Sequence, residues 1–182
     1  MKLTSTIKAI FMTLSIVLVA FAGKAQPSHP NSPHLTATGN VGGANVSITY
    51  GSPGVKGREI WGALVPYDKA WRAGADEATI FETDKDLMVQ DMKLPAGKYT
   101  LFATPGKDEW TFTFNSQVGQ WGITRSGVAN FDAAKNVIVV KVKPKKSATM
   151  MENLTYVITN KHFELNWDHT SVPVTLSTVP TM

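Results

Sequence analysis

Six segments of this chain set a large apolar side chain at every second position, mostly with polar residues between. Val46, Ile48 and Tyr50 are spaced by Ser47 and Thr49, Trp110, Phe112 and Phe114 by Thr111 and Thr113, and Phe163, Leu165 and Trp167 by Glu164 and Asn166. The same period runs through 138–142, 154–158 and 172–176. An extended backbone points successive side chains to opposite faces, so each segment has one face to bury and one to wet. Such alternation argues for antiparallel sheets solvated on one side. Turn chemistry separates the segments: Pro95-Ala96-Gly97, Pro105-Gly106 and Asn160. The reading gives nine or ten short strands and no long helix, with a single helical turn at 68–71. One sheet cannot bury its own apolar face, so the expected fold is all-β, an antiparallel sandwich with one long ordered loop. Closure into a β-barrel is the alternative. Pro173 is expected on an edge strand, where a missing N–H costs no ladder bond.

The first 25 residues do not share this pattern. Lys2 and Lys8 precede an apolar run from Ala9 to Ala22, and small residues, Gly23 and Ala25, follow it. This is the form of a secretory signal peptide, with cleavage expected after Ala25. The run is about fourteen residues, short of the roughly twenty that span a bilayer, so no membrane span is expected in the mature form. Without a Cys at the cleavage point there is no lipid attachment site. The expected organisation is a signal peptide at 1–25, a proline-rich flexible tether at 26–34, and one sandwich domain at 35–180. The product is expected to be periplasmic or extracellular.

Export changes the charge argument. The chain has 18 Lys and Arg against 14 Asp and Glu, but Lys2, Lys8 and Lys24 fall within the signal and no acid does. The mature chain is left with fifteen against fourteen, which gives no basic stripe for nucleic acid. The lysines at 141, 143, 145 and 146 read as solvated edge strands protected against edge-to-edge pairing. The absence of Cys excludes thiol chemistry and cysteine metal sites. A mature chain of 157 residues, 182 less 25, can bury an adequate core without disulfides.

One stretch breaks the strand pattern. Residues 51–79 hold five glycines and two prolines, yet also Arg58, Trp61, Tyr67, Trp71, Arg72 and Glu77. A connection this long is functional or disordered, and disordered segments are poor in aromatics. The segment is therefore read as ordered and folded against the sandwich. It either plugs an open end, with its arginines bonded to loop carbonyls, or it walls a ligand pocket. Tryptophan and tyrosine faces suit sugars and flat ligands, and guanidinium forks suit carboxylates and phosphates. The six named residues are the candidate ligand-binding set, and an Arg72–Glu77 pair is expected to brace the loop.

Other constellations carry little chemistry. His29 and His34 lie in the tether, while His162 and His169 flank one strand at a spacing that fits no helical zinc pair. No metal site and no cofactor is expected. There is no G-x-S-x-G elbow and no phosphate loop. Asp76 and Glu77 are the acids to which a catalytic reading would turn.

Three blocks are also familiar: GVKGREIWGALVPYDKAWRAGADEAT, then LPAGKYTLFATPGKDEW, then QWG. Together they resemble a bacterial family, domain of unknown function number 2911, over about residues 27–178. The resemblance implies a secreted or periplasmic β-rich protein of Gram-negative bacteria and no established activity. The family often has Arg where this chain has Ser52, Asn where it has Asp76, and an aromatic-acidic segment where it reads ITRSGVANFD.

Three functions fit these residues. The favoured one is a periplasmic binding or accessory module that takes a small molecule or glycan through the 51–79 loop. The second is a structural or protein-interaction domain with no ligand. The third is an envelope hydrolase with Asp76 or Glu77 as general base, and enzymatic activity is the less favoured reading.

Overall fold

In the computed structural model, which describes residues 32–180, the alternating segments form ten strands in two antiparallel sheets. The strands are β1 (His34–Val41), β2 (Ala44–Gly51), β3 (Ala75–Thr83), β4 (Leu87–Val89), β5 (Met92–Leu94), β6 (Gly97–Thr104), β7 (Trp110–Asn115), β8 (Asn136–Val142), β9 (Lys145–Ile158) and β10 (His162–Thr178). The first sheet runs β1-β2-β3-β6-β7-β8 and the second β5-β4-β10-β9. The sheets stay open, so this is a sandwich and not a barrel. The expected signal peptide and nearly all of the expected tether lie outside the described residues. No helix among the described residues is long and apolar enough to cross a membrane.

The alternation sets which face is buried. Val46, Ile48 and Tyr50 of β2, Trp110, Phe112 and Phe114 of β7, and Phe163, Leu165 and Trp167 of β10 all point into one apolar cluster between the sheets. Away from the tryptophans, Phe81, Phe112 and Phe114 of the first sheet meet Phe163 of the second, with ring centroids 5.6–6.4 Å apart. Edge-to-face rings of this kind add about 0.5–1.5 kcal/mol per pair beyond their area burial.

Two local expectations need correction. Residues 68–71 form no helical turn: the backbone turns at Tyr67 and Asp68, and Trp71 then bridges to Ala103. Pro173 lies in β10, an interior strand between β4 and β9. It falls between the last rung to β9, Ser171 to Lys145, and the first to β4, Leu176 to Val89, so its missing N–H interrupts neither ladder.

The same strand also turns back on itself. The Leu176 N–H donates to the Lys161 carbonyl at 2.7 Å, whereas a straight strand would hold residues fifteen apart at about 50 Å. The Ser171 hydroxyl donates to the Glu164 carboxylate within the same strand. The reversal sits at Asp168, where φ is 53° and the pairing with β9 shifts register on both sides. It brings Trp167, the last inward residue before the bend, to one end of the sandwich.

Candidate functional site

The excursion between β2 and β3 closes on itself at its base. Gly51 pairs with Ala75, and a side chain at Gly51 would collide with the Ala75 carbonyl, so only glycine lets the two strands part there. Backbone bonds then fix the loop along its length. Val55 N–H donates to Glu152 and Leu154 N–H to Pro53, while Asp68 N–H reaches Pro105. Trp71 and Ala103 exchange both bonds, at 2.7 and 2.8 Å. Since β3 pairs β6 only as far as Thr100, Trp71 takes over as the partner of β6 beyond that point. The Ser52 hydroxyl, buried, donates to the Leu154 carbonyl at 2.7 Å. Val55, Ile60, Val65 and Ala73 sink into the core. The segment is therefore part of the sandwich and not a connector.

Its tryptophans join two from the strands. Trp61 meets Trp110 at 4.7 Å and Trp167 at 5.6 Å, both edge to face, while Trp71 stacks on Trp167 at 5.9 Å with planes 19° apart. The Trp71 indole N–H donates to the Gly74 carbonyl. Trp61 and Trp167 have buried indole N–H groups with no partner, and so do the Thr79 hydroxyl and the Gln120 side-chain oxygen. These four are the buried side-chain polar atoms left unpaired among the described residues, and all lie at this end. Thr79 sits beside Gly74, and the Gln120 carbonyl accepts from Ala78 N–H. A buried polar group without a partner costs about 1–3 kcal/mol, so such a concentration calls for an explanation.

Beside this cluster opens a cleft of about 750 Å³, within the usual size of a small-molecule site. The excursion forms one wall, including Arg58, Trp71 and Arg72, and the segment 123–131 forms the other, including Ile123, Val128 and Phe131. Trp167, 1% exposed, also lines it. The second wall is held by Phe131, which stacks on Phe102 at 4.4 Å, and by Gly122. At Gly122 φ is 87°, and a Cβ would press on Ala78 and Arg72.

The candidate residues divide three and three. Arg58, Trp71 and Arg72 line the cleft. Trp61 belongs to the indole cluster and does not line it, Tyr67 packs over Gly62, and Glu77 is exposed. The expected Arg72–Glu77 pair is not formed: Glu77 instead lies 3.2 Å from the His34 imidazole. Arg72 donates to the Trp121 carbonyl and lies 5.2 Å over the Trp121 ring. Burial works against the Arg72 charge and lowers its pKa, while the Asp76 and Glu77 charges oppose that shift. Arg58 donates to the carbonyls of Val55 and Gly54. The loop-bracing role expected for both guanidinium groups is thus present alongside their place in the cleft wall.

Asp76 lines the cleft too, 7% exposed. Its φ of 62° is left-handed, a conformation that Asp and Asn tolerate better than most side chains. Its carboxylate accepts from Ser32 N–H and lies 3.8 Å from His34. No group of three or more His, Asp or Glu among the described residues could hold a metal ion. Trp167 escaped the sequence reading as a site residue, and the segment 123–131 entered it only as a departure from the family pattern. The alternation marks Trp167 only as core, and 123–131 carries no period at all.

Compared with known proteins, the chain matches over residues 32–176 the family described as "Protein of unknown function (DUF2911)". No curated protein and no solved structure matches it.

Proposed function

We propose, from the premise that this chain belongs to the DUF2911 family, that it is an exported binding module whose cleft takes a small molecule or a glycan unit. The observation that carries the reading is Trp167. It is a buried indole at a cleft of ligand size, its N–H is unpaired, and Trp71 stacks upon it. A stacked pair of indoles at the wall of such a cleft suits a flat or cyclic ligand. The bonds that staple the excursion to β6 and β9 pre-form the wall, which spares a ligand the cost of ordering it.

The test is a thermal-shift screen of the mature chain against sugars, phosphates and carboxylates. A ligand at about 100 times its dissociation constant adds roughly 2.7 kcal/mol of stability. That gain should vanish in Trp71→Ala while the variant still melts cooperatively. A screen in which nothing stabilises the protein would sink the reading. It would leave the second one, a plug that closes the sandwich end, which is favoured by the bonds from Arg58 and Arg72 to backbone carbonyls. Export is tested separately: the protein recovered from a periplasmic fraction should begin at Gln26, and a full-length cytoplasmic product would contradict it.

A further inference from the structure

The charges around the cleft say more about its occupant than its shape does. Four basic side chains line it, Lys56, Arg58, Lys69 and Arg72. None has a carboxylate within 4 Å among the described residues, although Lys93, Lys98 and Lys141 elsewhere are each paired. The one acid in the lining, Asp76, is already engaged by Ser32 N–H and lies close to His34. Cations are thus gathered at one concavity while the mature chain as a whole is almost neutral. A low-dielectric concavity lined by one sign of charge concentrates the opposite sign. Apart from Ser32 and Ser126, its remaining lining is without polar side chains other than the tryptophan indoles, with Trp71, Ile123, Val128 and Phe131 prominent.

We infer that the ligand is a small oxyanion, a carboxylate or phosphate carried on a flat apolar body, with the charged group toward the basic side chains and the body against Trp71 and the 123–131 wall. This rests on the binding reading above and narrows it, because it disfavours a neutral sugar. Lys56 and Lys69 supply steering and charge without structural duties for their ammonium groups. Arg72 and Arg58 retain free N–H donors beyond those given to carbonyls, since a guanidinium has five.

Matched pairs of probes separate this inference from the reading beneath it. Indole-3-acetate is titrated against indole-3-acetamide and naphthyl phosphate against naphthol, with phenyl β-glucoside as the neutral sugar, each by calorimetry on the mature protein. The charged member of each pair should bind at least about tenfold tighter. That preference should shrink between about 50 mM and about 500 mM salt, and shrink likewise in the Lys56→Gln, Lys69→Gln double variant. The salt series uses the unaltered protein, so the test survives even if the double variant folds poorly. Equal affinity within the pairs, or the glucoside binding best, overturns the oxyanion and leaves the binding module intact. If no probe binds and none protects against thermal unfolding, both fall. A phosphate preference over carboxylate, or the reverse, identifies which oxyanion the site serves.

Discussion

The two ends of this sandwich are built from the same strands but finished differently. Along β7, Phe114 and Phe112 give way to Trp110, and along β10, Phe163 gives way to Trp167. At the phenylalanine end, the rings of both sheets pack edge to face and are wholly buried. At the tryptophan end, buried indoles meet a cleft, and every unpaired buried side-chain polar atom of the described residues is found there. Phenylalanine brings bulk without a polar atom and closes a core. Tryptophan brings similar bulk with a donor that requires a partner. Four residues of strand thus separate a surface that is complete from one that is not.

The largest expected effect lies at the complete end. Phe163→Ala removes a ring shared by both sheets and should cost about 3–5 kcal/mol, read as a fall in urea midpoint. A loss under about 1 kcal/mol would mean the phenylalanine end is not the main core.

Next is the joint between core and excursion. The Tyr156 hydroxyl, fully buried, donates to the Ala73 carbonyl at 2.8 Å. Tyr156→Phe leaves that carbonyl unpaired and should cost about 1–3 kcal/mol. Burial, with a smaller contribution from Tyr50, raises the Tyr156 pKa well above its ordinary value. A raised folded-state pKa means the protonated form is favoured by folding. Its stabilisation is complete below the unfolded tyrosine pKa and declines as pH climbs beyond it. Melting temperature should therefore drop on the alkaline side, and less steeply in Tyr156→Phe. An identical alkaline limb in both proteins would place the titrating group elsewhere.

At the incomplete end the sign changes. Trp167→Phe loses volume but also removes an unpaired donor, so stability should stay within about 1.5 kcal/mol of the parent. Ligand affinity should nonetheless fall about fivefold, as expected when the ring stacked behind Trp71 is weakened by about 1 kcal/mol. Stability lost as heavily as in Phe163→Ala, with affinity unchanged, would erase the contrast between the ends.

The smallest effect concerns neither end. Asp84 is fully exposed, and its pKa is lowered chiefly by the Asn45 backbone N–H, then by the Asn45 side chain. A lowered folded-state pKa gives stability present above the ordinary carboxylate range and lost as pH falls through it. Asp84→Asn should slightly lower the melting temperature at neutral pH and leave the acid value nearly unchanged, so that the acid limb is a little flatter.

The strands were legible because burial on one face imposes a period of two, and β2, β8 and each half of β10 obey it, while β7 keeps the period in its sequence although Thr113 and Asn115 are buried as well. The bend at Asp168 was not, because the alternation continues on both sides of it and only the third dimension shows residue 176 returning to residue 161. The excursion announced itself through aromatic and arginine content in a glycine-rich stretch. Its partners did not, because Glu77 could as readily have met Arg72 as His34, and sequence distance does not choose between them. β6 was also opaque. Its Thr100–Ala103 stretch is buried on both faces, since Phe131 covers Phe102 on the side that alternation would leave wet. The far wall of the cleft was hidden with it.

The most direct test of the contrast is a titration with indole-3-acetate followed through the indole N–H resonances of the tryptophans, five in the chain. The Trp167 and Trp71 signals should shift and saturate together while the backbone amides of Phe112, Phe114 and Phe163 stay in place. If no indole signal moves, or if core amides and indoles move alike, the tryptophan end is only another part of the core.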